Sequence, residues 1–288
     1  MPSIFYREPA TTLKGVRNIA LADVDRVPVG VLPIATDYPP DHLLAWHQHR
    51  RAQFLYAATG TMLVEADGQV WTVPGERAVL IPPTKPHQVR MLDVQTSSLY
   101  IEPVLVPWWP PTCRVVEVGT LLRELLLAAA DIDVPPASRG QGGGNSWTRD
   151  QTLLALILHE LATLAEIPLH VPMPNTEPFA SLCRNYLTRP DLAIDNAVWA
   201  RQVSMSERTL TRRFQQETGM SPAAWRSKAR LLAAIPLLQH QSVTQVASRL
   251  GYSTPAAFSY AFTRAFTMAP STMRGLAGKR CASPAIFQ

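Results

Sequence analysis

The chain has 288 residues, of which 47% are hydrophobic and 17% charged, enough for two domains with real cores. Fourteen glycines against 26 prolines exclude collagen-like and flexible low-complexity classes, and three scattered cysteines (Cys113, Cys183, Cys281) exclude a disulfide framework or a Cys-x-x-Cys zinc site. The net charge of +5 divides unevenly: residues 1–174 hold 13 Lys+Arg against 17 Asp+Glu (−4), and residues 175–288 hold 14 against 5 (+9), which suits a polyanion-binding module behind an acidic front.

The first residues lack the basic-then-apolar pattern of an export signal, and no apolar stretch approaches 18 residues. A soluble cytoplasmic protein with no membrane partner is expected. Residues 43–101 read as short strands. Gln53–Ala58 is apolar and ends at Gly60, and Met62–Ala66 and Gln69–Val73 flank Asp67-Gly68, a pair suited to the positive φ of a hairpin turn. Ala78–Ile81, His87–Met91 and Ser97–Ile101 follow. Six short strands at close intervals predict a sandwich or small barrel.

Helical spacing begins after Pro110-Pro111. Val118–Ala130 carries Leu121, Leu122, Leu125 and Leu126. A glycine-rich loop (Gly140, Gly142, Gly143, Gly144) leads to Ser146, the predicted cap of a helix through Glu166. Its wide leucine stripe (Leu153, Leu154, Leu156, Ile157, Leu158, Leu161, Leu164) suits packing within its own domain or pairing in a homodimer. Residues 168–178 contain four prolines and read as a semi-rigid linker.

From Phe179 onward the pattern is helical and duplicated. Residues 195–203 align with 242–250 at an offset of 47, and Leu210, Phe214 and Pro222 align with Phe258, Phe262 and Pro270 at an offset of 48. Each unit has a cap (Asp195, Ser242), a short helix with a small residue (Ala200, Ala247), a tight turn and a longer helix. That is the layout of a helix-turn-helix, whose second helix enters the DNA major groove. Opposite Leu210 and Phe214 lie Arg208, Thr211, Arg212 and Gln215, side chains able to bond base edges. The matching positions on the second long helix are Ala256, Ser259, Tyr260 and Thr263, with Arg264 beside them. The first long helix is expected to carry more base reading, and the second van der Waals and phosphate contacts.

The stretches SMSERTLTRRFQQETGMSPAAW (204–225) and RLGYSTPAAFSYAFTRAFTMAPSTMR (249–274) resemble the DNA-binding domain of the AraC/XylS (arabinose-regulator) family of bacterial transcription factors. Gly251, Tyr252, Phe258, Phe262, Phe266 and Pro270 match the family pattern, whereas Thr267 stands where glycine is usual. The resemblance implies two helix-turn-helix units joined by a long helix from about Pro222 to Gln239, which Pro236 should kink.

In the front half, His47-x-His49-x3-Gln53-x6-Gly60 resembles the first cupin motif, with Gln53 at a usual glutamate, and residues 82–87 resemble the second, with His87 at its histidine. The second motif departs at Thr84, usually Gly, and at the one-residue offset of Gly75. Together these imply an α+β multidomain chain: a cupin-like β-barrel with helices for effector sensing and dimerisation (1–167), the proline-rich linker (168–178), and an all-α DNA-binding domain (179–288).

His47 and His49, two apart on an expected strand and so on one face, could with His87 hold a divalent transition metal, or with Gln53 and His87 line a polar effector pocket without metal; both readings stand. A cupin enzyme such as a metal-dependent dioxygenase or isomerase is the competing class. The missing carboxylate at Gln53 and the complete DNA-binding repeat favour an effector-controlled regulator, not an enzyme. A constitutive architectural DNA binder would leave the barrel without a purpose. Expected partners are double-stranded promoter DNA, a small-molecule effector, a second copy of the chain, and RNA polymerase in the case of an activator.

Overall fold

The computed structural model describes residues 21–132 and 148–273. The glycine-rich loop, Ser146, Arg274 and Cys281 lie outside these residues. Eleven strands and eight α-helices follow in chain order among the described residues. The strands are β1 (Val31–Asp37), β2 (His42–His47), β3 (Ala52–Ala57), β4 (Thr61–Ala66), β5 (Gln69–Pro74), β6 (Arg77–Ile81), β7 (His87–Leu92), β8 (Gln95–Ile101), β9 (Arg114–Glu117), β10 (Glu166–Ile167) and β11 (His170–Pro172). The helices are α1 (Thr120–Ala130), α2 (Arg149–Leu161), α3 (Phe179–Thr188), α4 (Asn196–Gln202), α5 (Glu207–Thr218), α6 (Pro222–Leu238), α7 (Val243–Arg249) and α8 (Pro255–Phe266).

The six strands expected from residues 53–101 are present as β3 to β8. Asp67 and Gly68 both adopt positive φ (47° and 66°) and join β4 to β5 with Ala66 opposite Gln69. Two antiparallel sheets result, one ordered β1-β8-β3-β6-β9-β10 and the other β11-β5-β4-β7-β2. Their ladders stay separate among the described residues, so the expected barrel takes the form of two facing sheets.

Burial follows from the layering. Leu55, Val79, Ile81 and Val115 of the first sheet meet Met62, Val64, Val89 and Met91 of the second. The other face of the first sheet (Phe54, Tyr56, Ala78, Leu80, Leu99) is covered by Leu122, Leu126, Leu153, Ile157 and Leu161 of α1 and α2. With both faces covered, β3 and β6 are buried at every position instead of alternating. The leucine stripe of α2 therefore packs mainly on its own domain, although Leu156 and the α1 residues Leu121 and Leu127 remain exposed.

Two expectations need correction. Helix α2 starts at Arg149 with Thr148 as its cap, in a reciprocal capping box with Gln151, and it ends at Leu161, before the expected Glu166. The proline-rich 168–178 is not all linker. Ile167, Leu169, Val171 and Met173 alternate and are buried, and residues 170–172 add a strand to the edge of the second sheet at β5. Pro172 is tolerated because it ends an edge strand.

The helical half packs against the outer side of the second sheet, with α6 running beside β5 and β11. Trp225 donates its indole N–H to the Pro172 carbonyl, and Arg184 reaches Glu65 of β4 at 3.0 Å. Pro236 stands in the last turn of α6, where its missing N–H interrupts the ladder only near the helix end. No helix among the described residues is long and apolar enough to cross a membrane.

Candidate nucleic-acid interface and histidine cluster

Each helix-turn-helix begins at a capped helix. Asp195 accepts from the Val198 N–H at 2.8 Å, and Ser242 forms a reciprocal capping box with Gln245. Ala200 and Ala247 are buried, as expected where the short helix crosses the long one. The long helices α5 and α8 are capped by Ser206 and Thr254. Leu210 and Phe214 on α5, and Phe258, Phe262 and Phe266 on α8, are completely buried. Around α5 the rings of Trp199, Phe214 and Trp225 lie 5.7 to 6.1 Å apart.

That packing turns one face of each long helix outward. Arg208, Arg212 and Gln215 are exposed or half-buried at the surface with Thr211; with Asn196 and Glu207 they line one hollow of about 540 Å3. On α8, Ala256, Tyr260, Thr263 and Arg264 are exposed and Ser259 half-buried. The nine residues read from the sequence thus lie at the surface of α5 and α8, with Thr211 and Ser259 half-buried. Glu207 and Asn196 share the α5 hollow although no sequence signal singles them out; Glu207 immediately follows the Ser206 cap.

Not every arginine of the basic half is free for DNA. Arg226 stacks over Trp199 at 4.6 Å and donates to Asn196. Arg213 lies over Phe179, Arg230 donates to the Tyr186 hydroxyl, and Arg184 is held by Glu65 and Glu177. Arg208, Arg212 and Arg264 have no such anchor among the described residues and are the cations aimed outward on α5 and α8.

In the front half, His47, His49 and His87 converge, with one nitrogen from each within 4.8 Å of the others. His49 lies in the β2–β3 connection and not on a strand, which corrects the expectation that it shares a strand face with His47. Its Nδ1 faces the Arg51 carbonyl at 2.7 Å, His47 Nδ1 faces Ala45 O at 2.7 Å, and His87 Nδ1 faces Lys85 O at 2.8 Å. Carbonyl oxygens accept only, so each Nδ1 carries the proton and each Nε2 keeps its lone pair. His87 Nε2 is buried and has no partner among the described residues.

Burial disfavours the imidazolium form. It pushes the pKa of His87 down to about 3 and that of His49 below its usual value. Neutral His49 Nε2 therefore points a lone pair toward Gln53 Oε1, 3.1 Å away, while Gln53 Nε2 lies 3.0 Å from the Tyr100 hydroxyl. Reversing the amide would let Gln53 donate to His49. Thr84 sits at φ 59°, the left-handed conformation that explains the usual glycine there, and its N–H donates to His49 O at 2.8 Å. The His47 and His87 ring centroids are 4.2 Å apart, so the rings touch and no metabolite fits between them.

A model described as an AraC-like ligand binding domain matches residues 28–172, and one described as a helix-turn-helix domain matches residues 199–275. The chain belongs to the AraC family. The HTH-type transcriptional regulator NimR of Escherichia coli K12 is 28% identical over 226 residues, covering 78% of this chain and 80% of that protein. The transcriptional activator RhaS of E. coli SE11 is 26% identical over 277 residues, covering 88% and 96%. Among solved structures, ToxT of Vibrio cholerae aligns with a TM-score of 0.34 at 9% identity, covering 85% and 97%. This AraC-family chain is a DNA-binding transcription regulator: a helix-turn-helix domain joined to a ligand-binding domain.

The AraC-family chain also has a hollow that its sequence did not announce. About 1190 Å3 lies between Tyr38, Pro39, Leu92 and Val94 of the sheet domain and Pro236, Leu237 and His240 at the end of α6. These lining residues are scattered through the sequence and acquire meaning only when the two halves pack.

Proposed function

We propose that the regulator reads its operator chiefly through Arg208, Thr211, Arg212 and Gln215 of α5, with Ser259, Tyr260, Thr263 and Arg264 of α8 adding contacts. The observation that carries this reading is the outward α5 face. It bears two arginines without structural partners among the described residues, in a half where Arg184, Arg213, Arg226 and Arg230 are all engaged. Arginine bonds a guanine edge bidentately, and glutamine or threonine can bond other edges. Such units place their recognition helices about 34 Å apart, in successive major-groove turns. The sensing and dimerisation unit extends to about residue 172, with the connection over 173–178 and the DNA-binding unit from 179.

For control, the 1190 Å3 hollow suits a small organic effector. It touches both halves, so an occupant that favours one relative arrangement of the halves over another would act as a switch. The histidine cluster suits a divalent transition metal held by His47, His49 and His87 through Nε2. Such an ion would supply a fixed positive charge and tie together the β2–β3 connection and β7. Gln53 adds no anionic ligand, so the site holds an ion less tightly than one completed by a carboxylate. The exposed leucines of α1 and α2 are the surface we assign to pairing with a second copy, and activation would add contact with RNA polymerase.

A genome-wide map of bound DNA tests the reading. Enriched promoters sharing one bipartite sequence are expected, and loss of enrichment in an Arg208→Ala/Arg212→Ala strain would support it. A map without enriched sites would overturn it.

A further inference from the structure

The two recognition helices offer the DNA opposite chemistry. On α5 the outward strip is Glu207, Arg208, Thr211, Arg212 and Gln215, rich in groups that bond polar base edges. Forty-eight residues later, the same strip of α8 is Ala256, Ser259, Tyr260 and Thr263, and Arg264, one turn beyond Tyr260, is the single charge next to it. Residues 256 and 260, and 259 and 263, are four apart and share one face.

Tyr260 is 69% exposed, although the other aromatic residues of α8, Phe258, Phe262 and Phe266, are wholly buried. The inner side of the helix is therefore filled without it. Its ring offers apolar surface to whatever the helix meets, beside the Ala256 methyl and the Thr263 side chain. None of these groups can donate two hydrogen bonds to guanine. Their chemistry matches the thymine C5-methyl, the apolar feature of the major groove.

We propose, on the basis of the DNA-reading role above, that α8 reads thymine methyl groups through Ala256, Tyr260 and Thr263. The operator is then chemically bipartite, with a guanine-bearing segment under α5 and a thymine-bearing segment under α8, one helical turn away.

The test uses the full-length protein and a randomised duplex library, followed by deoxyuridine substitution in the selected site. Uracil removes only the methyl and leaves pairing and phosphates intact. Affinity should fall about fourfold for each contacted methyl removed from the α8 segment, from the transfer value of one buried methyl group. Tyr260→Ala should abolish most of that sensitivity, and Tyr260→Phe should keep it. Arg212→Ala should weaken binding without changing it. Equal affinity for thymine and uracil duplexes, or a selected site with no thymine preference under α8, would leave only phosphate contacts there and overturn this inference alone. A library in which nothing is enriched would overturn the DNA-reading role as well.

Discussion

Thr267 ends α8 in the same left-handed conformation (φ 60°) that Gly219 adopts at the end of α5 (φ 70°). In both, the cap N–H donates back to a carbonyl four residues earlier, Thr263 O or Gln215 O. Glycine occupies this region freely, whereas a β-branched residue is strained there. Thr267→Gly should therefore stabilise the protein by about 1 kcal/mol and leave DNA affinity unchanged. Gly219→Thr should cost a similar ~1 kcal/mol, because no atom lies within 4 Å of a Cβ there and only the backbone objects. Urea denaturation of the two variants checks both, and an unstabilised Thr267→Gly would count against the strain.

Gly251 is a harder case. Its φ is 74°, and a Cβ would come within 1.9 Å of Leu192 Cδ1. Gly251→Ala should cost more than the ~1 kcal/mol of a backbone-only substitution. Leu192 is half-exposed, so a Leu192→Ala partner should return the steric part and leave the backbone part. Additive losses in that double-mutant cycle would show that the two residues do not meet.

Much of this architecture was legible in the sequence where a local signal agreed with packing. The Asp67-Gly68 turn, the runs of β3 to β8 and the duplicated Leu210/Phe214 and Phe258/Phe262 spacing all combine chain periodicity with burial. Strands β1 and β11 escaped because Pro33 and Pro172 argue against a strand unless it lies at a sheet edge, a fact known only from the assembled sheet. The histidines were legible by type, yet the strand alternation invoked for His49 does not place it. It joins the cluster from a connection whose Arg51 is wholly buried against Glu102 and the Val27 carbonyl, which no local pattern reveals. The hollow at α6 was invisible for the same reason.

Arg212→Ala should weaken binding to the operator by roughly 1–3 kcal/mol and relax the preference at one or two base pairs. Binding to random duplex should change little. The side chain is exposed on α5, so the fold should survive, and thermal unfolding should be unchanged. Equal losses on operator and random DNA would make Arg212 a phosphate contact. A salt titration separates the two, since a lost phosphate contact lowers the slope of log affinity against log salt by about one.

The histidine cluster makes stability depend on pH and on metal. In the unfolded chain each imidazole titrates near its ordinary value of 6.5, whereas burial holds folded His87 at about 3 and His49 below 6.5. Below pH 6.5 the unfolded chain takes up protons that the folded chain refuses. The contribution is therefore complete above that pH and is lost as pH falls toward the depressed folded values. In chelator, stability should decline below about pH 6.5, by as much as ~1.4 kcal/mol per pH unit for each such histidine. His87→Gln should flatten that slope. A bound divalent ion needs the same neutral imidazoles, so removing it at about pH 7.5 should lower the unfolding temperature. Elemental analysis of tag-free protein decides occupancy: metal-free protein whose stability ignores both chelator and added zinc or nickel would leave the cluster as buried neutral histidines.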